Sequence, residues 1–544
     1  LKPPHGLFGA QRHCLFSNLV DHPGATMPNL LSCAMLVFVI SASLVMGSSA
    51  TKRPKHILAV VIDDLGFDDL GFRNEGQIMT PNFNGLAHKG IVLGNYYVQP
   101  SCSPTRATIM TGRKPVHTGV NFWIPNVAYG LPLNETTLAQ VFNARGFKSH
   151  AIGKWHLGFH KTPYTPTFRG FDSFYGYYEG SEDYFKHSTS GGMDLHHEEG
   201  QYCGPNCTKL LWEAKGTYST NLYSDRAVDV ISRHDSSTPL FMYLAFQGVH
   251  SPRQSPQRYI DPYRLSIPDL GRRTFAGMVS ALDEGLGNVT AALRTKGMFE
   301  DTLIFVTTDN GGPTTECSTT GQSNWPYRGS KCSVWEGGTR GTSFLYWSGL
   351  PSASQGSTWM GLSHAADWLP TLVTAVGSSI KPGETLPLDG VDLWSSLLQL
   401  GSSPRKEVYY GISQGGLGPA VRDMEGNKLI LGGGGGGKGL WSSRQLPGLQ
   451  LDATMLSPAP HLPVQAEAVL YDLVNDEGER HNLTLADHDE VVSRLRAVIA
   501  RYEATRVPQL QGDPSCPRYT PRQSAQGPWV GPWCDGAAEA TMLV

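Results

Sequence analysis

A chain of 544 residues with 40% hydrophobic content can bury a large core, and 62 Gly with 37 Pro fits a loop-rich globular enzyme rather than a disordered chain. Lys and Arg number 44 against 47 Asp and Glu, a formal net charge of -3, which argues against a general nucleic-acid or membrane-surface binder. Any anionic ligand must therefore be held by a local cluster of cations.

The first element is the uncharged, mostly apolar run from Leu30 to Met46, closed by Gly47-Ser48-Ser49-Ala50, small residues that suit signal peptidase. It reads as a secretory signal over about residues 27–50, with residues 1–26 an upstream stretch. An uncleaved anchor is the alternative, because Met27-Pro28-Asn29 lacks a basic region and Lys52, Arg53 and Lys55 follow the run. Secretion agrees with the glycosylation sequons Asn134-Glu135-Thr136, Asn206-Cys207-Thr208, Asn288-Val289-Thr290 and Asn482-Leu483-Thr484. Of the nine cysteines, Cys14 and Cys33 precede the cleavage point, and the remainder is odd in number. Proximity in sequence pairs Cys203 with Cys207, Cys516 with Cys534 and Cys317 with Cys332, which leaves Cys102 unpaired.

Downstream, four short apolar runs end abruptly in polar clusters. His56–Ile62 runs into Asp63-Asp64, and Ser149–Ile152 into Gly153-Lys154-Trp155-His156. Leu240–Phe246 leads to Gln247-Gly248-Val249-His250, and Thr302–Thr308 to Asp309-Asn310-Gly311-Gly312. Such runs read as strands buried on both faces, with helical stretches at Leu138–Ala144 and Tyr223–Ile231 between them. The pattern is a wound α/β sheet, in which ligands bind beyond the carboxyl ends of the strands, where these clusters fall. Helical stretches at His364–Ala375 and Leu393–Leu400 precede a boundary near Gly401-Ser402-Ser403-Pro404. A large domain is expected over 51–400 and a smaller one over 401–544, where short strands such as Lys428–Leu431 and a glycine run, Gly432–Gly437, suggest hairpins.

Between the first two clusters lies Cys102-Ser103-Pro104-Thr105-Arg106. With Ser103 as N-cap and Pro104 as first helical residue, Cys102 sits at the positive end of a helix, where the thiol could be an activated thiolate; a buried structural cysteine is the bland alternative. Asp63, Asp64, Asp309 and Asn310 offer the hard oxygen ligands that Ca2+ or Mg2+ requires. Zinc is not expected, since Cys203 and Cys207 lack a matching pair. Lys154 and His156, two residues apart, project to one side of an extended continuation; with Arg106, His250 and Lys331 they make a cationic cup for a tetrahedral anion.

Taken together, these residues strongly resemble the sulfatase family. Its Cys-x-Pro-x-Arg core stands at Cys102–Arg106, followed by Thr111-Gly112-Arg113, and its second motif at Gly153-Lys154-Trp155-His156-Leu157-Gly158. Asp309-Asn310-Gly311-Gly312, the run from Asn324 to Lys331, Trp335–Arg340 and Leu470-Tyr471-Asp472-Leu473 are most similar to arylsulfatase B-type enzymes. The resemblance implies an alkaline-phosphatase-like fold: a large, mixed, mostly parallel sheet flanked by helices, with a smaller C-terminal α+β domain carrying a short antiparallel sheet. It also implies that a formylglycine-generating enzyme oxidises Cys102 to an aldehyde during secretion. One hydroxyl of the hydrated aldehyde, held with a single Ca2+ by Asp63, Asp64, Asp309 and Asn310, would attack the sulfur of a glycan or aryl sulfate ester. Arg106, Lys154 and His156 would steady the transferring group, and His250 and Lys331 would assist departure of the alcohol. The second hydroxyl would then expel sulfate. Trp325, Tyr327, Tyr184 and Phe185 are candidates for a sugar-stacking rim or for packing. Rival readings are a formylglycine-dependent phosphodiesterase or phosphonate hydrolase, and a catalytically silent protein that binds sulfated glycans. The expected location is the secretory pathway, secreted or lysosomal, with no nucleic-acid partner and no stable membrane partner unless the N-terminal segment is an uncleaved anchor.

Overall fold

Ten strands form one sheet: β1 (His56–Ile62), β2 (Ile91–Tyr97), β3 (Lys148–Lys154), β4 (Ser173–Tyr177), β5 (His196–Glu199), β6 (Lys209–Leu210), β7 (Leu240–Phe246), β8 (Thr302–Thr308), β9 (Ser343–Tyr346) and β10 (Ser357–His364). Their order is β10-β2-β9-β8-β1-β7-β3-β4-β5-β6. The centre, from β8 to β4, is parallel, and antiparallel pairs flank it. The computed structural model describes residues 52–74, 76–203, 207–314, 321–410, 418–432 and 468–535. The secretory-signal segment, the sequon at Asn206 and the glycine run beyond Gly432 lie outside the described residues. So does Cys317.

The parallel strands read as unbroken apolar runs because both faces are covered. Alternate side chains of β1 enter different layers: Leu58, Val60 and Ile62 one, Ile57, Ala59 and Val61 the other. Helices α1 (Cys102–Thr111), α2 (Leu138–Asn143), α3 (Ser219–Arg233), α4 (Leu270–Thr295) and α5 (Trp368–Ala375) supply the covering surfaces. The first layer takes Ala227, Val230 and Ile231 of α3 and Phe275, Leu282 and Leu286 of α4. The second takes Ala107, Ile109 and Met110 of α1, Leu138 and Phe142 of α2, and Leu369 and Leu372 of α5. Each fully buried aliphatic side chain contributes about 1.5–3 kcal/mol.

The four predicted strands fall where the apolar runs placed them, with β3 longer by a residue at its start and by Gly153 and Lys154 at its end. The helix expected from His364 instead begins at Trp368. His364 ends β10, and its N–H donates to the Asp367 carboxylate across a single 3-10 turn, 2.8 Å. Beyond residue 400 a second sheet runs β11 (Glu407–Tyr410), β12 (Ala420–Asp423), β13 (Asn427–Leu431) and β14 (Ala468–Asp472), antiparallel throughout. Helix α6 (Asp489–Ala504) packs Val492, Leu495 and Ile499 on Tyr409, Val421, Leu429 and Leu470. The opposite face meets Tyr97, Val334 and Trp335, which brings this sheet against the segment that follows Lys331.

Disulfides join Cys203 to Cys207 and Cys516 to Cys534, as proximity suggested, and Cys332 is also disulfide-bonded. The expected pairing with Cys317 lies outside the described residues. No helix among the described residues is long and apolar enough to cross a membrane.

Candidate active site

Strand register puts the polar clusters side by side. Ile62 lies beside both Thr308 and Phe246, and Gly153 beside Ala245, so Asp63, Asp309, Gln247 and Lys154 leave the sheet at one edge. Gly153, at φ +97, has no room for a side chain: a Cβ there would sit 2.0 Å from the Ala245 carbonyl. That close approach sets Lys154 over the end of β1. Lys154 Nζ donates to Asp63 Oδ2 at 2.5 Å, while Lys331 Nζ donates to Asp64 Oδ1 at 2.6 Å. Arg106, wholly buried in α1, donates from Nε and Nη2 to Asp309 Oδ2 at 3.0 and 2.7 Å and lies 3.7 Å from Asp63 Oδ1. Asn310 Nδ2 donates to Asp64 Oδ1 at 2.8 Å, and the Asp64 N–H to Asp309 Oδ1 at 3.2 Å.

Every residue expected to hold the metal or to act on the ester therefore meets in one cluster, though not by the route expected for His156. The continuation of β3 is not extended: His156 adopts φ 57, so the chain turns back after Trp155 and the imidazole reaches the site from the bend. Its ring packs on Gly180, whose Cβ would lie 2.8 Å from Nε2. Lys331 is held by a loop that Asn324 fastens to the end of β8: Asn324 Oδ1 accepts the Gly312 N–H at 2.9 Å, and Nδ2 donates to the Gly312 carbonyl at 2.8 Å.

Cys102 is itself the first residue of α1, with Ser101 rather than Ser103 in the N-cap position. Ser103 is drawn off by tertiary bonds, donating to the His156 carbonyl at 2.8 Å and accepting the Ile124 N–H at 2.9 Å. The thiol is free and buried. Burial pushes it up to about 11 against Lys154 and Lys331, with Asp63 and Asp309 adding to the rise. Of the two readings of this thiol, the buried one fits and the thiolate activated by a helix end does not, because desolvation and nearby carboxylates outweigh the cations.

Burial, then the Asp309 carboxylate, push Asp63 up, opposed by Lys154 and Arg106. Against the cost of burial, Lys331 and then His250 hold Asp64 well below the usual carboxylate range. Burial lowers His250 to about 3, with Asp64 opposing and Lys331 and Lys154 adding to the fall. His156 is driven far down by burial and by Lys154 and Arg106. Asp63 Oδ1, Asp64 Oδ2 and Asn310 Oδ1 are buried with no hydrogen-bond partner. Ligand atoms of Asp63, Asp64, Cys102 and His250 all lie within 4.8 Å of one another. Unpartnered carboxylate and amide oxygens at such spacing are the donor set that a hard divalent cation takes.

A cleft of about 320 Å³ opens onto this cluster, lined by Cys102, His156, His250 and Lys331 and by Trp123, Pro125, Glu179, Gly180, Ser181, Thr189 and Ser190. Of the two readings of the aromatic candidates, rim or packing, packing holds for Tyr184, Tyr327 and Phe185. Tyr184 is fully buried with its hydroxyl donating to the His250 carbonyl, Tyr327 packs edge-on against Phe67, and Phe185 leans on the core. Trp325 does not line the cleft. Trp123 and Glu179 were missed by sequence reasoning. Glu179 was nonetheless findable, since it follows the carboxyl end of β4 just as the other clusters follow theirs. Trp123 lies in an irregular segment without such a signal.

Fold and site together define an α/β hydrolytic enzyme whose centre lies at the carboxyl edge of a parallel sheet. A family model described as Sulfatase matches residues 55–378, and the chain belongs to the sulfatase family. It is 34% identical over 520 residues to arylsulfatase J of Mus musculus, covering 90% of this chain and 81% of that protein. To arylsulfatase A of Homo sapiens it is 31% identical, covering 80% and 84%. Among solved structures, Ps i-CgsB in complex with k-i-k-neocarrahexaose is similar at TM-score 0.69 and 25% identity, over 84% of this chain and 94% of that one. The protein is a sulfatase, and the particular likeness to arylsulfatase B-type enzymes remains an expectation from the motifs.

Proposed function

We propose that the protein releases inorganic sulfate from a sulfated glycan or aryl sulfate, using a formylglycine made from Cys102 and one bound Ca2+. The observation that carries this reading is the buried free Cys102 lining a cleft together with Lys331, His156 and His250, with Asp63 and Asp64 in ligand reach. Asp63, Asp64, Asp309 and Asn310, with the residue at 102, would hold the cation, which when bound supplies charge to stabilise developing negative charge on oxygen. The modified residue supplies the hydroxyl nucleophile and a second hydroxyl for release of sulfate.

The remaining groups act by position. Arg106 fixes the Asp309 carboxylate and so the far wall of the cluster. Lys154 and Lys331 neutralise Asp63 and Asp64, and Lys331 also borders the cleft, where it would meet an ester oxygen. His250 Nδ1 lies 2.7 Å from the Ser251 carbonyl and donates to it, so in the neutral ring Nε2 is the basic atom, which would take the proton of the attacking hydroxyl and pass it to the oxygen of the departing alcohol. His156 lines the same cleft and would steady the transferring group.

The disulfides and exposed sequon residues Asn134, Asn288 and Asn482 support a secretory-pathway protein, secreted or lysosomal, that meets a formylglycine-generating enzyme on the way. Mass spectrometry of the Cys102 peptide from secreted protein should find the mass loss of replacing CH2–SH by CHO. The same preparation should turn over nitrophenyl sulfate with higher kcat/KM than a nitrophenyl phosphodiester, and Cys102→Ser should not turn over repeatedly. An unmodified thiol in an active preparation, or preference for the diester, would overturn the reading.

A further inference from the structure

We propose that Glu179, together with Trp123, forms the subsite for the alcohol half of the ester and selects a sugar ring that offers hydroxyl or amide N–H donors and carries no second anionic group. The proposal rests on the sulfatase reading of the adjoining site and deepens it.

The backbone at Glu179 is pinned. Asp194 accepts the N–H of Tyr178 and of Glu179, each at 3.0 Å, immediately beyond the end of β4. The next residue is fixed too, since Gly180 lies against the His156 ring with no room for a Cβ. Glu179 is thereby held at a set distance from the reacting centre, lining the cleft with only 5% of its surface exposed. Its Oε1 accepts the Ser190 hydroxyl at 2.8 Å. Among the described residues no Lys, Arg or His forms an ion pair with it, whereas the buried carboxylates of Asp63, Asp64 and Asp309 each have a cation.

Above about pH 7, where it is ionised, an unneutralised carboxylate beside a centre for anionic esters would weaken binding of any further negative charge, through a medium that screens poorly. Burial and the Asp194 carboxylate push Glu179 up to about 7. Donors brought by a ligand would favour its ionised form, which hydroxyls of a sugar or the N–H of an acetamido group can do and an apolar aryl ring cannot. The rest of the wall matches such a guest. Ser181, Thr189 and Ser190 add uncharged polar groups. Trp123, part-buried and packed on Phe122 with ring centroids 3.8 Å apart, offers a flat apolar surface for the C–H face of a ring.

The test compares kcat/KM of full-length, formylglycine-containing wild type and Glu179→Gln on N-acetylgalactosamine 4-sulfate, galactose 4-sulfate, N-acetylgalactosamine 4,6-disulfate and 4-nitrophenyl sulfate. Assayed at about pH 8, where Glu179 is ionised, wild type should prefer the monosulfated sugars to the disulfate by about tenfold or more, the scale of repulsion between two like charges a few ångströms apart. Glu179→Gln should lower the ratio of monosulfated sugar to nitrophenyl sulfate by about tenfold, mainly through KM, and narrow the mono- to disulfate ratio. A larger fall on the acetamido sugar than on galactose 4-sulfate would identify the amide as the donor; equal falls would identify the hydroxyls. A purely structural role would move all substrates alike, and that result, or a wild type that favours the disulfate, would overturn the subsite. The wild-type ratio stands as a test even if the variant does not fold. Turnover of nitrophenyl sulfate with no sugar discrimination sinks this inference alone, whereas no turnover of any sulfate ester sinks the functional reading with it.

Discussion

Lys428 provides the sharpest test of how the small sheet is tied to the catalytic segment. On β13 its ammonium lies 2.9 Å from Glu336 Oε1 and 2.8 Å from Glu479 Oε1, and all three side chains are fully buried. Glu336 has further support from the Tyr97 hydroxyl at 2.8 Å and Arg340 at 3.2 Å, and its N–H donates to Glu479 Oε2 at 2.7 Å. Glu479 is the weaker partner: burial pushes it up to about 7, with Lys428 opposing and Glu336 adding to the rise. Glu336 is held down to about 2, burial being outweighed by Lys428 and Arg340.

Lys428→Met keeps the volume and removes the charge, so a buried carboxylate loses its counterion, a change that costs about 3–5 kcal/mol. Glu479 can limit the loss by keeping a proton, which raises its folded pKa further. A carboxyl with a raised folded pKa contributes stability that is lost as pH rises, by about 1.4 kcal/mol per unit. Above pH 7 wild-type Glu479 is ionised already, so the gap between variant and wild type should widen there. Urea midpoints should give a loss of about 3–5 kcal/mol at pH 7 and about 2 kcal/mol more near pH 8.5. Adding Glu479→Gln to the variant should restore at least half of the loss at the higher pH. A loss below about 1 kcal/mol, or one identical at both pH values, would refute the electrostatic account and leave packing alone.

Acid should weaken the fold through buried neutral histidines. Burial, then His234 and Lys55, lower His56 to about 4, and its Nδ1 accepts the Leu240 N–H at 3.2 Å. The unfolded chain binds this proton below about pH 6.5 and the folded one does not, so stability should fall by up to about 1.4 kcal/mol per unit between pH 6.5 and 4; His56→Asn should flatten the Tm-against-pH curve, and an unchanged slope would discount the residue. Gly153→Ala forces a Cβ onto the Ala245 carbonyl at φ +97 and should destabilise by about 3 kcal/mol or more, read by urea unfolding; a near-neutral result would mean that β3 and β7 can part. Dialysis against a calcium chelator should lower Tm, and added CaCl2 should restore it, because Asp63 Oδ1, Asp64 Oδ2 and Asn310 Oδ1 lack hydrogen-bond partners; a Tm indifferent to both would remove the cation from the cluster.

Much of the catalytic edge could be read in advance because its parts obey local rules. A parallel strand buried on both faces must be apolar throughout, so β1, β7 and β8 announce themselves, and the first polar residues after each must lie at the carboxyl edge. Asp63, Asp309 and His250 were reachable in that way, and Cys102 through cysteine parity. His156 came to the site by a left-handed turn that spacing did not foretell.

Local chemistry thus settled which residues could react, since residue type and strand period are properties of short segments. Tertiary structure decided what those residues experience. Whether Cys102 is a thiolate depends on desolvation and on carboxylates from β1 and β8, distant in sequence, and the balance fell opposite to the helix-end rule. Ser103 lost the capping role to bonds with His156 and Ile124. Tyr184 and Tyr327 went to packing while Glu179 and Trp123 took the cleft, because a cleft wall is assembled from loops whose meeting is fixed by sheet order and not by any pattern within one loop.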